Sequence, residues 1–230
     1  MTEYEAMLTR HSVRQYLDKP IEPELVDQLQ AAVEQANEES GLNIQLITEE
    51  PEAFSGGLAH YGNFRGVRNY FAICGPARSV LAEGLAGYYG EKLVLLAQQL
   101  GLNTCWVALT FKKRKARYTL KKGERLIIVI ALGYGATQGV AHKCRPPEQV
   151  SRVRGPVPDW FAEGIAAALL APTAINQQRF RFTLLDRTDP KTGKPLVKPT
   201  TGFGNQVFVD LGIARYHFEL GAGRENFEWA

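Results

Sequence analysis

Ala171-Pro-Thr-Ala-Ile-Asn-Gln-Gln-Arg-Phe-Arg-Phe182 is the stretch on which the reading of this chain turns. It follows a run of small apolar residues, Ile165, Ala166, Ala167, Ala168, Leu169 and Leu170, that predicts a helix. Pro172 ends that helix, because its ring cannot join the backbone hydrogen-bond ladder. Arg179-Phe-Arg-Phe182 then alternates with the period of a strand. Thr173, Asn176 and Gln178 thereby fall in a tight helix-to-strand turn. Two readings stay open for that turn. Its amides cap the helix and satisfy the bend, or they read the edge of a flat heterocycle.

An earlier segment echoes this unit. Glu22-Pro-Glu-Leu25 opens a helix, with Pro23 tolerated at its start. Leu25, Leu29, Ala32, Val33 and Ala36 follow at helical spacing, Asn37-Glu-Glu-Ser-Gly41 stops the helix, and Asn43-Ile-Gln-Leu-Ile-Thr48 reads as a strand. Pro158-Asp-Trp-Phe opens the later helix in the same manner, about 135 positions on. The pair is either an internal repeat or a chance likeness of two amphipathic helix–turn–strand units.

Thr9-Arg-His-Ser-Val-Arg-Gln-Tyr16 crowds cations and a hydroxyl together. If it is extended, Arg10, Ser12 and Arg14 share a face, a donor set suited to phosphate. The alternative is a solvated basic turn. Asn69-Tyr-Phe-Ala-Ile-Cys74 and Asn103-Thr-Cys-Trp-Val-Ala-Leu109 predict strands, separated by a helix from Tyr88 to Leu100 that Gly101 caps. Leu126-Ile-Ile-Val-Ile-Ala-Leu132 predicts a fully buried strand. Just past it, His142-Lys-Cys-Arg145-Pro-Pro brings a second pair of cations, either at a ligand-binding strand end or in a basic loop held by prolines. Lys112-Lys-Arg-Lys-Ala-Arg117 reads as a solvated connector. Asp186 to Gly204, polar and proline-rich, predicts a surface excursion, and Val207 to Leu220 an apolar helix carrying a packed His217.

The composition bounds the class. The chain has 230 residues, 45% apolar and 22% charged, ordinary for a globular protein with a real core. A net charge of +3 is too mild to argue for nucleic acid, and no apolar run is long enough to span a membrane. The opening residues are acidic and carry no apolar signal core. The three cysteines, Cys74, Cys105 and Cys144, are far apart and read as reduced thiols rather than a disulfide frame or zinc site. These features predict a cytoplasmic protein. No GxGxxG fingerprint is present to bind a dinucleotide in its own fold.

Taken together, these segments resemble the FMN-dependent nitroreductase superfamily, and within it the TM-type nitroreductase branch. Thr9-Arg-His-Ser-Val-Arg14 is similar to its N-terminal phosphate and ribityl segment, and Ala171-Pro-Thr-Ala-Ile-Asn-Gln-Gln178 to its Ala-Pro-Ser-x-x-Asn-x-Gln turn. Gly101-Leu-Asn-Thr-Cys-Trp-Val107 resembles the strand after the long central helix. Leu132-Gly-Tyr-Gly135 with Lys143 and Arg145 resembles the closing strand and its phosphate-contacting cations. The resemblance implies an α+β fold, a central mostly antiparallel sheet flanked by helices. In the common family the turn motif follows the first helix, and two identical chains exchange elements around each flavin. Here the second unit carries the motif. Residues 1–150 and 151–230 are therefore expected to play two subunits fused in one chain, with an internal pseudo-twofold and a single flavin site.

What the resemblance implies for function is an FMN oxidoreductase that accepts electrons from NAD(P)H and passes them, in ping-pong order, to a nitro, quinone or similar electron-poor small molecule. Arg10, Ser12, Arg14, Lys143 and Arg145 are assigned to the FMN phosphate, with His11 nearby. Asn176 and Gln178, in the turn with Pro172 and Thr173, are assigned to the ring or ribityl chain. Backbone amides of Trp106, Val107, Ala108 and Leu109 are assigned to the ring edge, where donors stabilise negative charge developing on the reduced ring. No side chain is assigned as an acid–base catalyst, since the cofactor carries the chemistry. Other flavin chemistry, such as flavin fragmentation or reductive dehalogenation, and a non-catalytic flavin-binding or redox-sensing module are the alternatives. No nucleic-acid or membrane partner is expected. A fused pseudo-dimer removes the need to dimerise without forbidding it.

Overall fold

The computed structural model describes residues 1–230, apart from the side chains of Leu58 and His60. The chain divides into two compact units, Met1–Ala141 and His142–Ala230. The expected α+β class, with mostly antiparallel strands and flanking helices, is what forms; the strands make two four-stranded sheets, one in each unit. Among the described residues, no helix is long and apolar enough to cross a membrane.

In the first unit, α1 (Glu3–Thr9) starts in a capping box in which Thr2 and Glu5 each bond the other's backbone N–H. The helix α2 (Pro23–Ser40) buries Leu29, Val33 and Ala36 and ends at Gly41 in the left-handed region. Asn37 then clasps both backbone groups of Ile44, accepting its N–H at 2.7 Å and donating to its carbonyl at 2.9 Å. That pins the start of β1 (Asn43–Ile47) to the helix end. The strands β2 (Asn69–Pro76), β3 (Asn103–Val107) and β4 (Glu124–Gly133) complete an antiparallel sheet in the order β1-β2-β4-β3. The β-branched run of β4 lies between two neighbours and is buried along its length, as its composition predicts.

The sheet's two faces are covered differently. After the short helix α3 (Gly57–Tyr61), the helix α4 (Val80–Gln99) packs on β2, β3 and β4. On the other face, Tyr70, Ala72, Cys74, Cys105, Val107 and Val129 meet Phe54, Phe64 and Phe111 from the loops. Helix α4 starts eight residues before the helix read from the sequence, at a Ser79 cap. Its early buried residues, Ala82, Ala86 and Gly87, are small, so they carry little hydrophobic signal yet let the helix approach the sheet closely.

In the second unit, α5 (Pro147–Val150) and β5 (Ser151–Arg152) lead into α6 (Asp159–Ala168). Then come β6 (Phe180–Thr188), β7 (Pro195–Thr201), α7 (Val207–Ala222) and β8 (Glu228–Trp229), with sheet order β5-β6-β7-β8. The stretch 186–204, expected to be a surface excursion, is instead largely the β6–β7 hairpin. Asp189 shapes its turn by accepting the N–H groups of Lys191 and Thr192, each at 2.9 Å.

Helices α6 and α7 pack closely because glycines face the partner helix. A Cβ at Gly164 would lie 2.7 Å from the Phe218 ring, and one at Gly221 2.5 Å from the Cβ of Ala167. The core between helices and sheet is aromatic. Phe218 stacks on Phe182 with ring centroids 4.6 Å apart and meets Phe161, Phe227 and Trp229 at 5.5, 5.2 and 5.5 Å. Such rings bury large areas and prefer these tilted and offset geometries.

Phe218→Ala is expected to remove about 3–5 kcal/mol from the second unit's stability. Urea unfolding followed by tryptophan fluorescence checks this, since Trp160 and Trp229 belong to the second unit.

Candidate functional site

The expected site residues fall on both units, and each group has its own geometry. In the first unit, the segment after α1 is extended and stitched into the end of the sheet. Val13 donates its N–H to the Thr104 carbonyl at 3.0 Å, Tyr16 to that of Arg65 at 3.0 Å, and Leu17 to that of Tyr134 at 2.8 Å. Ser12 sits beside Thr104 in an isolated parallel bridge against the edge strand β3. The three residues expected to share a face differ in exposure: Arg10 is buried, Ser12 half-buried and Arg14 exposed.

Arg10 departs from the face expected to be shared with Arg14. It caps the C-terminus of α1, and its side chain turns inward to 4% exposure. Its Nε lies 3.7 Å from Oε1 of Glu91, a wholly buried acid on α4. That spacing is an ion pair but too long for a hydrogen bond. Nε and one terminal nitrogen of the guanidinium have no hydrogen-bond partner among the described residues. The other oxygen of Glu91 accepts the indole N–H of Trp106 at 2.9 Å. The Trp106 side chain is therefore engaged with α4, and any role toward a ligand falls to backbone groups at the β3 edge. Beyond Val107 the chain leaves the sheet through Ala108 to Leu109, which is exposed.

In the second unit, α6 ends at Ala168, four residues before Pro172, and the chain tightens through bonds from Leu170 and Ala171 to the carbonyls of Ala167 and Ala168. The turn itself is strained. Ile175, Asn176 and Gln178 have φ of 48°, 55° and 44°. Asparagine tolerates this region, but a β-branched isoleucine there is a true outlier. Such strain costs on the order of 1–3 kcal/mol per residue and persists only where surrounding bonds over-determine it. Those bonds are present. The Thr173 hydroxyl accepts the Gln178 N–H at 3.0 Å, and the Thr173 carbonyl accepts that of Asn176 at 2.9 Å. Asp210 accepts from Ala174 and Gln177. Ile175 is left 97% exposed at the tip.

The cationic segment 142–145 is tied to this same turn. Gln178 accepts the Arg145 N–H at 2.8 Å and donates to the Lys143 carbonyl at 2.8 Å and to Oδ1 of Asn176 at 2.7 Å. Asn176 also donates to the Lys143 carbonyl, at 2.9 Å. His142 Nε2 and Cys144 Sγ both reach the Leu169 carbonyl, at 2.9 and 3.3 Å. The division between units therefore falls at residue 142, and Lys143 and Arg145 go with the amide turn, because these bonds bind the segment to it. Gln178, expected at the ring or ribityl chain, is 2% exposed with both amide protons given to the polypeptide. Its side chain acts on the loop. Asn176 remains exposed with one amide proton unassigned in the turn.

Glu91 and Asp210 went unnoticed in the sequence. Their one signal was an acid inside an otherwise apolar helical face, at Gly90-Glu-Lys-Leu93 and Val207-Phe-Val-Asp-Leu211. The three cysteines are free thiols. Burial pushes Cys74 up to about 12 and raises Cys105 and Cys144 as well, which disfavours the reactive thiolate at neutral pH.

A family model described as "Putative TM nitroreductase" matches residues 2–222. A solved structure from Thermotoga maritima, described as a "putative nitroreductase", is 19% identical, with a TM-score of 0.67 over 96% of this chain and 83% of its own. One from Desulfovibrio desulfuricans, described as a "putative nitroreductase in complex with FMN", is 19% identical, with a TM-score of 0.53 over 69% of this chain and 99% of its own. One from Parabacteroides distasonis, described as a "Putative NADH dehydrogenase/NAD(P)H nitroreductase", is 22% identical, with a TM-score of 0.50 over 64% of this chain and 95% of its own. At these identities the solved structures establish a shared fold. No curated protein matches the chain.

Gln178→Ala is expected to destabilise the second unit by about 2 kcal/mol, because it strands the buried groups that the side chain satisfied. Faster hydrogen exchange at the Arg145 amide, measured against amides of β6, is the matching local sign.

Proposed function

The chain belongs to the family described as "Putative TM nitroreductase", and on that premise we propose that it is an FMN-dependent oxidoreductase. Electrons come from NAD(P)H and go to a small electron-poor acceptor such as a nitroaromatic or quinone, the two substrates reacting in alternation. The observation that carries this reading is the buried Arg10 guanidinium with two nitrogens lacking hydrogen-bond partners among the described residues. A buried cation with unused donors fits phosphate oxygens, which accept several charge-assisted bonds at once. FMN, when bound, supplies the two-electron chemistry.

The chain's own residues bind and orient. Arg10, Ser12 and Arg14 hold the phosphate, with His11 beside them. Lys143 and Arg145 add charge; both are exposed, and neither forms an ion pair among the described residues. Glu91 keeps the Arg10 fork in place and limits how much extra charge the phosphate must balance. Asn176 offers its remaining amide proton to the ribityl chain or ring, on a turn shaped by Pro172 and Thr173. Gln178 is a positioning residue, since it fixes the Lys143 and Arg145 backbone against that turn. Backbone amides from Trp106 to Leu109 serve the ring edge. The first unit lacks the Pro-Thr-x-x-Asn turn and the second lacks an Arg-His-Ser-x-Arg segment. That distribution supports one FMN per chain, with no second chain needed to supply either motif.

The test is direct. Protein incubated with FMN and desalted is expected to keep about one flavin per chain and to oxidise NAD(P)H when a quinone is added. Arg14→Ala is expected to weaken FMN retention about tenfold with little change in melting, because Arg14 is exposed and its loss removes a charge-assisted contact. Arg10→Ala is a poorer probe, since it also removes the buried cation paired with Glu91. Protein that retains no flavin and leaves NAD(P)H unoxidised would defeat the reading; two flavins per chain would defeat the single site.

A further inference from the structure

Asp210 has no role in the scheme above, yet it is 4% exposed and lies in the first turn of the apolar helix α7. Its Oδ1 accepts the Ala174 N–H at 2.9 Å, and its Oδ2 accepts an amide proton of Gln177 at 2.7 Å. The same Gln177 nitrogen reaches the Asn205 carbonyl at 2.7 Å. No ion pair reaches Asp210 among the described residues. A buried carboxylate without a cation is costly, and the two bonds it accepts both come from the strained turn. They are placed with purpose. Ala174 directly precedes Ile175 and Gln177 directly follows Asn176, so one carboxylate brackets the two consecutive left-handed residues.

We propose that Asp210 is a positioning residue for flavin recognition: by bracketing Ile175 and Asn176 it holds the Asn176 amide in the orientation that meets the cofactor. This rests on the flavin reading given above.

Only the ionised carboxylate can do this in full. Both partners are donors, so a proton on either oxygen faces an N–H and displaces one bond. Burial pushes the Asp210 carboxyl up to about 6, while the Ala174 and Gln177 bonds oppose that rise. The segments that face it, residues 173–178 and 202–206, contain no ionisable side chain. The ionisable residues on elements packed against α7 are Asp159 and Glu163 of α6, Arg181, Asp186 and Arg187 of β6, Lys198 of β7, and Arg224 and Glu225 beyond its end, all exposed, with the half-buried Glu228 of β8; exposed Arg179, just past the turn, donates to the Phe203 carbonyl and is the cation nearest the facing segments. On α7 itself, Arg215, His217 and Glu219 lie further along the helix.

The sign follows. Asp210's folded value lies above its unfolded one, so the folded chain holds an extra proton between about pH 4 and 6, and the group's contribution to stability declines as pH rises through that window. Flavin affinity runs the opposite way and rises as the carboxylate forms. A side chain that merely supported the fold would not separate the two.

The experiment measures FMN dissociation constants by flavin fluorescence for the wild type and Asp210→Asn, at about pH 7.5 and about pH 5. The variant is expected to bind about tenfold more weakly at the higher pH and to match the wild type within about twofold at the lower. The phosphate of FMN titrates in this range too, but identically for both proteins, so it cancels in the ratio. Gln177→Ala, which keeps the Ala174 bond, is expected to lie between them, and it serves if Asp210→Asn does not fold. A ratio near one at both pH values, or one that does not change with pH, overturns the proposal. A flavin-free readout separates this from failure of the flavin reading itself. The Ala174 amide proton resonance should titrate with a midpoint near pH 6 in the wild type, and a flat resonance overturns Asp210's hold on the turn. A titrating resonance in a protein that binds no FMN overturns the flavin reading and, with it, the recognition role.

Discussion

The side chain of Gln178 is the constraint on which the second unit's functional surface depends. One buried amide satisfies the backbone at Lys143 and Arg145 and the side chain of Asn176. Without it, the loop carrying two exposed cations would be tied to the left-handed turn only by the Asn176 bond to the Lys143 carbonyl and to the helix end by His142 and Cys144. With it, they are one piece. The cost is local strain at Ile175, Asn176 and Gln178, offset by bonds from Thr173 and Asp210 that leave the turn little alternative. A turn held this firmly presents its groups in one geometry, which is what a binding site needs to avoid ordering its own parts when the ligand arrives.

The first unit handles buried charge by a different arrangement. Arg10 and Glu91 lie together inside the protein, and the indole of Trp106 donates to the acid's other oxygen. Buried ion pairs add little net stability, but removing one partner is strongly destabilising. The pair therefore fixes the relation between the end of α1, the middle of α4 and the strand β3. Gly90, next to Glu91, makes room for this: a Cβ there would lie 2.4 Å from the Trp106 ring.

Much of the architecture was legible because hydrophobic periodicity and turn chemistry are local. The run at 126–132 read as a buried strand, and Pro23 and Gly41 marked the limits of α2, whereas Asn37, read as the start of its stop, lies in its last turn. The early turns of α4 were not legible, because alanine and glycine bury without leaving a hydrophobic period. The β6–β7 hairpin was hidden by prolines, which usually argue against a strand; Pro195 opens β7, and Pro199 sits within it opposite Phe182. At the candidate site, residue types pointed to the right segments, but direction was out of reach. Sequence spacing put Arg10 on a face with Arg14, whereas its position as a helix cap turned it toward Glu91. Nor could spacing show that Gln178 spends its amide on backbone thirty-odd residues earlier, since such bonds depend on tertiary proximity.

The pairing pattern of the two sheets also bears on how the polypeptide emerges from the ribosome. Every strand of the first sheet finds its neighbours within residues 43–133, so that unit can close while the remainder is still being synthesised. The second sheet cannot. Its β7 lies next to β8, and Phe218 packs against Phe227 and Trp229, so its aromatic interior stays open until translation has passed Trp229. Synthesis thus imposes an order of assembly, the first sheet closing while the rings of the second unit still lack their partners.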